Sequence, residues 1–340
     1  MLQALFHAWE RKLVSATTDR VVRPFEWGLD WLPDDVARTG ASPENVVGDW
    51  IAGVMADTDA FFTPPPTTDY EFLMPNEGPG LLAFPSALVS PHPENNTVRC
   101  RYFPAGDKRA AVLVLPQWNA DRGGHVGLCR LLQWSGLSAL RLSLPYHDER
   151  MPPELHRADY ILSANVVRTV QVCRQAVLDA RRAIAWLAQQ GYERIGILGT
   201  SLGSCLSLLT AAHEPLVRAE ALNHISPEFA DVVWRGLSTQ HVREGLDGHI
   251  ELDLLRTLWR PLSPRWYLER LRDRQTLLVY ARYDLTFPVD LSRDLVRAFR
   301  EEGIPHELAV LRCGHYTTGK TPFKYADGWI LTRFLKKALL

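Results

Sequence analysis

From residue 81 onward the sequence alternates short, β-branched apolar runs with stretches of helical spacing. The runs fall at residues 82–88, 97–103, 110–116, 138–144, 194–198, 219–225, 275–281 and 306–311. Helical spacing recurs at 128–134, 165–189, 202–212, 291–300 and 329–339. Parallel neighbours in a sheet need a crossover long enough to return the chain to the same end, and a helix between two strands supplies it. The chain is therefore expected to form a mostly parallel sheet with helices on both faces. The first two runs lie too close together for a helical crossover and are expected to pair antiparallel.

Two regions depart from this alternation. Residues 1–80 show helical spacing near 2–13 and 46–56, then break at Thr63-Pro64-Pro65-Pro66-Thr67-Thr68, a turn-rich stretch. Residues 227–270, rich in Trp, His and Arg, read as helices inserted between two strands. There is no internal repeat and no low-complexity tract.

Composition removes several classes. With 340 residues, 23% charged and 46% apolar, the chain has ordinary globular usage, neither disordered nor coiled-coil nor collagenous. The 38 Lys and Arg balance 39 Asp and Glu, so the basic footprint of a nucleic-acid binder is missing. The five cysteines, Cys100, Cys129, Cys173, Cys205 and Cys313, include no CxxC pair. They suggest neither a disulfide framework nor a zinc site, and point to a reducing compartment. Glu10, Arg11 and Lys12 interrupt the N-terminal apolar residues too early for a signal-peptide core. Residues 195–213 lack a formal charge, but their three glycines suit a strand and a buried helix better than a membrane span. A cytoplasmic protein without an integral membrane segment is expected.

The chemistry centres on Gly199-Thr200-Ser201-Leu202-Gly203. A GxSxG pentapeptide alone is a weak signal; here an apolar run enters it and helical spacing leaves it. A serine on a sharp strand-to-helix turn projects its hydroxyl above the sheet, and the flanking positions must be small. Such a serine needs a base. The run 306–311 ends in Arg312-Cys313-Gly314-His315, which places His315 on the loop leaving the last strand. Asp284 follows the run 275–281 and is the candidate to orient that imidazole. Asp290 is its near rival, read as a helix cap, and Glu228 and Asp231 are weaker substitutes. The order Ser201, Asp284, His315 is that of a serine hydrolase triad on a parallel sheet. A tetrahedral oxyanion would be held by the N–H of Leu202 and a second donor from the loop after 110–116, Trp118 or Gln117, since Pro116 has none to give. Asn119, His125, Tyr146 and Trp234 are candidate pocket residues, with Trp259, Trp266 and Tyr267 as further aromatic cover. No metal ligand set is expected.

A second motif competes. Gly314 to Thr321 fits GxxxxGK[ST], the phosphate-cradling pattern of nucleotide hydrolases, with Lys320 as its lysine. It sits after the last strand with 19 residues remaining, too few for the rest of a nucleotide-binding sheet, and Lys320 reads better as a solvated residue.

Taken together, Gly199–Gly203, the Asp284-Leu285-Thr286-Phe287-Pro288 stretch and Gly314-His315 resemble the α/β-hydrolase superfamily. The helix text from Arg174 to Leu187 resembles its esterase and dipeptidyl-peptidase-like branches. The likeness spans roughly residues 81–340. It implies an α/β fold: an eight-stranded, mostly parallel sheet, its second strand antiparallel, built from 81–226 and 271–340. Residues 227–270 would be a helical lid insertion and 1–80 a mostly helical extension. It also implies hydrolysis of a small-molecule carboxylic ester or thioester without a cofactor. A peptidase-like hydrolase, a catalytically idle binding protein of the same fold and a P-loop enzyme are the alternatives. The sequence departs from the pattern in carrying Pro116-Gln117 where His-Gly is usual, and in ending the serine motif Gly203-Ser204.

Overall fold

The computed structural model describes residues 2–37, 40–106 and 109–340. A single sheet organises them. Its strands are β1 (Glu71–Leu73), β2 (Gly80–Pro85), β3 (Thr97–Phe103), β4 (Ala110–Leu115), β5 (Ser138–Leu142), β6 (Arg194–Thr200), β7 (Val217–Asn223), β8 (Gln275–Ala281) and β9 (His306–Leu311). Their spatial order is β1-β2-β3-β5-β4-β6-β7-β8-β9. Pairing is antiparallel from β1 to β5 and parallel from β5 to β9. The sequence predicts eight strands, and the described residues form nine. The additional one is β1, three exposed residues within the front section, too short to show a periodicity.

Strand alternation sorts the core into two layers. On β4, Ala111, Leu113 and Leu115 face one way, toward the helices Val166–Gln189 and Leu202–His213. Ala110, Val112 and Val114 face the other way, toward Val126–Trp134 and Phe323–Leu339. All six are fully buried, which is why this strand reads as a continuous apolar run rather than an alternating one. The long helix Val166–Gln189 is started by Asn165, whose Oδ1 accepts the Arg168 N–H at 3.0 Å.

Strand order fixes where a site can form. From β4 the chain moves outward to β5, then returns to β6 on the other side of β4. Loops leaving β4 and β6 therefore diverge and open a crevice at the carboxyl ends of these strands. The segment between β7 and β8 contributes the short helices Phe229–Arg235, Gln240–Leu246 and Leu252–Leu258. The front section contributes Leu2–Ser15, Asp34–Ala37, Pro43–Ala56 and Thr58–Phe61. No helix among the described residues is long and apolar enough to cross a membrane, and all five cysteines are buried and unpaired.

Candidate active site

β6 runs straight into Thr200, and the helix Leu202–His213 begins one residue after Ser201. Ser201 takes φ 56° and ψ −121°, a conformation that costs an L-residue about 1–3 kcal/mol. The motif glycines are required by close approach rather than by their own dihedral angles. A Cβ on Gly199 would lie 2.1 Å from Gly203 O, and a Cβ on Gly203 would lie 2.3 Å from Leu115 O. Ser201 N donates to Asn223 O at 2.8 Å, and Ser204 Oγ lies 2.6 Å from Ser201 O and 2.7 Å from His224 O. The turn is held from both sides.

His315 opens the short helix that follows β9, and its Nδ1 lies 3.1 Å from Asp284 Oδ2. The other carboxylate oxygen, Oδ1, accepts the N–H groups of Thr286 and Phe287 at 2.8 and 2.7 Å. Burial would push the Asp284 carboxyl up, but the imidazoles of His315 and His224 outweigh it and hold it well below the usual carboxylate range. For His315, burial pulls the pKa down while the Asp284 carboxylate raises it further, leaving it above the ordinary 6.5. Asp284 is thus suited to fix the tautomer that leaves Nε2 free.

A second imidazole shares that carboxylate. His224, directly after β7 and at φ 59°, places Nδ1 3.0 Å from Asp284 Oδ2. Its ring centre is 4.6 Å from that of His315. Burial keeps His224 below its ordinary pKa despite the bond to Asp284. It is therefore neutral, donates Nδ1–H, and leaves a buried Nε2 with no partner among the described residues. The ligand atoms of His224, Asp284 and His315 lie within 4.8 Å of one another, a spacing open to a metal ion, yet both Nδ1 atoms are spent on Oδ2. The rival acids are each engaged by an arginine: Asp290 by Arg235, Glu228 by Arg265 and Asp231 by Arg256.

The loop after β4 faces the serine across the crevice. Asn119 N donates to His147 Nε2 at 2.9 Å, while His147 Nδ1 donates to Pro145 O. That tautomer requires a neutral ring, and burial lowers His147 to about 4. Trp118 Nε1 donates to Ala158 O, and its ring stacks on His241 at 5.7 Å. The backbone N–H groups of Gln117, Trp118 and Leu202 make no hydrogen bond among the described residues, so all three remain unspent as candidate oxyanion donors. His125 Nε2 is bonded to Thr200 Oγ1 at 2.9 Å, and burial lowers it to about 4.

One cavity of about 860 Å³ is lined by Ser201, His315, Leu202, Gln117 and Trp118 together with Asn119 and His125. No hydrogen bond joins Ser201 Oγ to His315 among the described residues, a looseness common in unliganded sites. Two expected pocket residues lie elsewhere. Tyr146 is fully buried in the core, its hydroxyl 3.0 Å from His92 Nδ1. Trp234 packs under the Arg243 guanidinium, outside the lining. The other inserted aromatics also pack rather than cover: Trp259 is buried with Nε1 on Val166 O, Tyr267 is buried, and Trp266 lies under Arg260. The insertion instead lends the cavity Phe229, Val232 and Val233. Residues not anticipated from the sequence include His224, Asp327, which burial raises to about 7 beside Asn223, and Thr17, Asp19 and Arg20 from the front section. For His224 a signal existed, a polar residue at the end of a strand; for the front section there was none.

The phosphate-loop pattern is not built as a cradle. Within Gly314–Thr321 only His315–Thr318 is helical, a single turn, Lys320 is exposed, and the N–H groups of Tyr316 and Thr317 are already taken by the Glu10 carboxylate.

No protein-family model and no curated protein matches the chain. Solved structures match it in fold. Acetyl xylan esterase 1 from Thermoanaerobacterium sp. JW/SL YS485 superposes with a TM-score of 0.61 at 14% identity, covering 97% of this chain and 98% of that one. Acetyl xylan esterase from Paenibacillus sp. R4 gives 0.60 at 15% identity, covering 92% and 98%. Pyrococcus horikoshii acylaminoacyl peptidase gives 0.59 at 14% identity over 80% of this chain. The chain spans only 42% of that peptidase's length. The architecture shared with these structures is the α/β-hydrolase fold.

Proposed function

We propose that the protein is a serine hydrolase acting on a small-molecule carboxylic ester or thioester, with Ser201, His315 and Asp284 as its triad. The observation that carries this reading is the strained Ser201 backbone on a strand-to-helix turn, opening into the same cavity as an imidazole held by Asp284. Strain of this kind persists only where the surroundings enforce it, and it collects at reacting residues.

The chemistry runs as follows. Ser201 Oγ attacks the acyl carbonyl carbon while His315 Nε2 takes the hydroxyl proton. Asp284 stabilises the imidazolium through Nδ1–H. The Leu202 N–H and that of Trp118 or Gln117 receive the developing oxyanion, each donor worth about 3 kcal/mol in comparable sites. His315 then hands its proton to the leaving alcohol or thiol as the carbonyl reforms. Water repeats the sequence on the acyl-enzyme and frees the acid.

Because His315 must be neutral to accept the proton, activity falls on acidification. Its raised pKa puts the midpoint above 6.5. A fluorophosphonate probe tests the reading directly: wild type is expected to label with one equivalent and Ser201→Ala with none. Unlabelled wild type would leave a catalytically idle fold as the better account. The p-nitrophenyl esters, thioesters and amides of one acyl group then rank the leaving groups, and an amide preference would favour the peptidase-like alternative.

A further inference from the structure

The front section enters the site through one side chain. Glu10, on the helix Leu2–Ser15, is fully buried. Its Oε2 accepts the N–H of Tyr316 and its Oε1 the N–H of Thr317, each at 2.9 Å. These are the two amides immediately following His315. Gly314, immediately before it, admits no side chain, since a Cβ there would lie 2.5 Å from Glu10 Cδ. The same helix also reaches the Asp284 loop: Phe6 stacks on Tyr283, with ring centres 4.8 Å apart and planes 11° apart. Beyond the helix, Arg20 binds Val14 O through Nη1 and the Tyr316 hydroxyl through Nη2. That hydroxyl continues to Ser238 Oγ and on to Thr286 Oγ1.

We infer that residues 2–20 form part of the catalytic apparatus, and that Glu10 is a positioning residue which fixes the His315 turn by binding the two backbone amides behind the imidazole. The inference deepens the hydrolase reading and rests on it. A buried carboxylate is costly unless its oxygens are matched by donors, and here the donors are the backbone of the proton-accepting residue's own turn. The carboxylate spans from one element of the fold to the histidine loop, so it sets where the ring stands relative to Ser201, and misplacement on the order of 1 Å can cost about 100-fold in rate.

Glu10 also acts through its charge. The groups facing the His315 ring are Asp284, His224, Phe287 and Tyr316, with Glu10 behind the turn and Arg20 behind the Tyr316 hydroxyl. Among these, Asp284 and Glu10 raise the pKa of His315, Asp284 more strongly. Removing the Glu10 charge therefore lowers it, and the acid limb moves to lower pH.

The test is the rate of fluorophosphonate labelling of Ser201 against pH, read as the limiting rate and the half-saturating probe concentration. In Glu10→Gln the limiting rate is expected to fall about 10- to 100-fold with the half-saturating concentration little changed, and the acid limb to move below that of wild type. Glu10→Asp keeps the charge and both acceptors on a shorter stem, and is expected to restore the position of the limb and part of the rate. Thermal unfolding of each variant sets a working temperature at which all are folded. Folded Glu10→Gln with the wild-type rate and limb would overturn the inference while leaving the hydrolase reading intact. Wild type that fails to label would remove both.

Discussion

A methyl group at Gly203 would lie 2.3 Å from the Leu115 carbonyl oxygen and 2.4 Å from that of Pro116. Both obstacles are backbone at the end of β4, so neither can swing aside as a side-chain tip would. Gly203→Ala must then push the helix Leu202–His213 off the sheet or distort the turn that carries Ser201. Overpacking of this kind typically costs about 1–3 kcal/mol. The variant is expected to lower the urea midpoint by a matching amount and to lose most of its probe labelling even where it is folded. Wild-type labelling in a folded Gly203→Ala protein would show that the close approach is not what shapes the turn. Such local constraints are what made Ser201, Asp284 and His315 readable: each sits where a strand ends, and small or turn-forming residues mark those ends in the sequence. Glu10 has no such mark. It lies 305 positions before His315 in the chain, and only the packed fold makes the two neighbours. Tyr146 and Trp234 misled for the opposite reason, since an aromatic side chain looks the same in sequence whether it lines a cavity or fills a core.

Central strands were legible at the scale of elements because full burial on both faces leaves a run of apolar residues, as in β4, whereas β2 alternates buried and more exposed positions. An ionisable residue interrupts such an apolar run at Glu220 in the middle of β7, as Arg141 does in β5. Glu220 is completely buried, takes one hydrogen bond from Thr276 Oγ1 on β8 at 2.9 Å, and leaves Oε2 without a partner among the described residues. Burial raises its pKa to about 8 against an ordinary 4.5, with Thr276 and Arg274 only partly opposing. The folded state therefore holds a proton that the unfolded chain releases at lower pH. Stability is full below 4.5 and is lost as pH rises toward 8, by an amount on the order of a few kcal/mol. Glu220→Gln keeps an acceptor for Thr276 and has no proton to lose. Urea unfolding is expected to show the variant more stable than wild type at about pH 9, with the advantage shrinking or reversing by about pH 5. Parallel pH profiles for the two proteins would mean that the carboxyl is ionised in the fold. The short strand β1 was illegible at this scale, because its three exposed residues owe their conformation to pairing with β2 and not to any pattern of their own.

Across the molecule, one buried ion pair ties the antiparallel edge of the sheet to the site. Arg150 Nη2 and Asp179 Oδ2 are 2.8 Å apart and neither side chain is exposed. Asp179 Oδ1 accepts Ser86 Oγ and Ala87 N, while Arg150 donates to Asn95 O and Ser143 O. Gln175 closes the network by accepting from Asn95 and donating to Ser86. Three segments meet there: the loop between β2 and β3, the loop after β5, and the helix Val166–Gln189. Arg150 lies three residues beyond His147, whose Nε2 holds the Asn119 N–H of the loop facing Ser201. Scaffold and site are therefore coupled through the loop after β5. Asp179→Ala strands a buried guanidinium and is expected to cost about 3–5 kcal/mol. Replacing both partners, as in Arg150→Met with Asp179→Leu, removes the stranded charge and should recover part of that loss, the remainder reflecting Ala87 N, Asn95 O and Ser143 O left without their partners. Urea denaturation of the two single variants and the double variant gives the coupling. Single variants whose losses simply add in the double would mean that the two side chains act separately. If the double variant regains stability while its labelling by fluorophosphonate stays slow, the polar network is holding the loop after β5, and through it the loop after β4 that faces Ser201, in register.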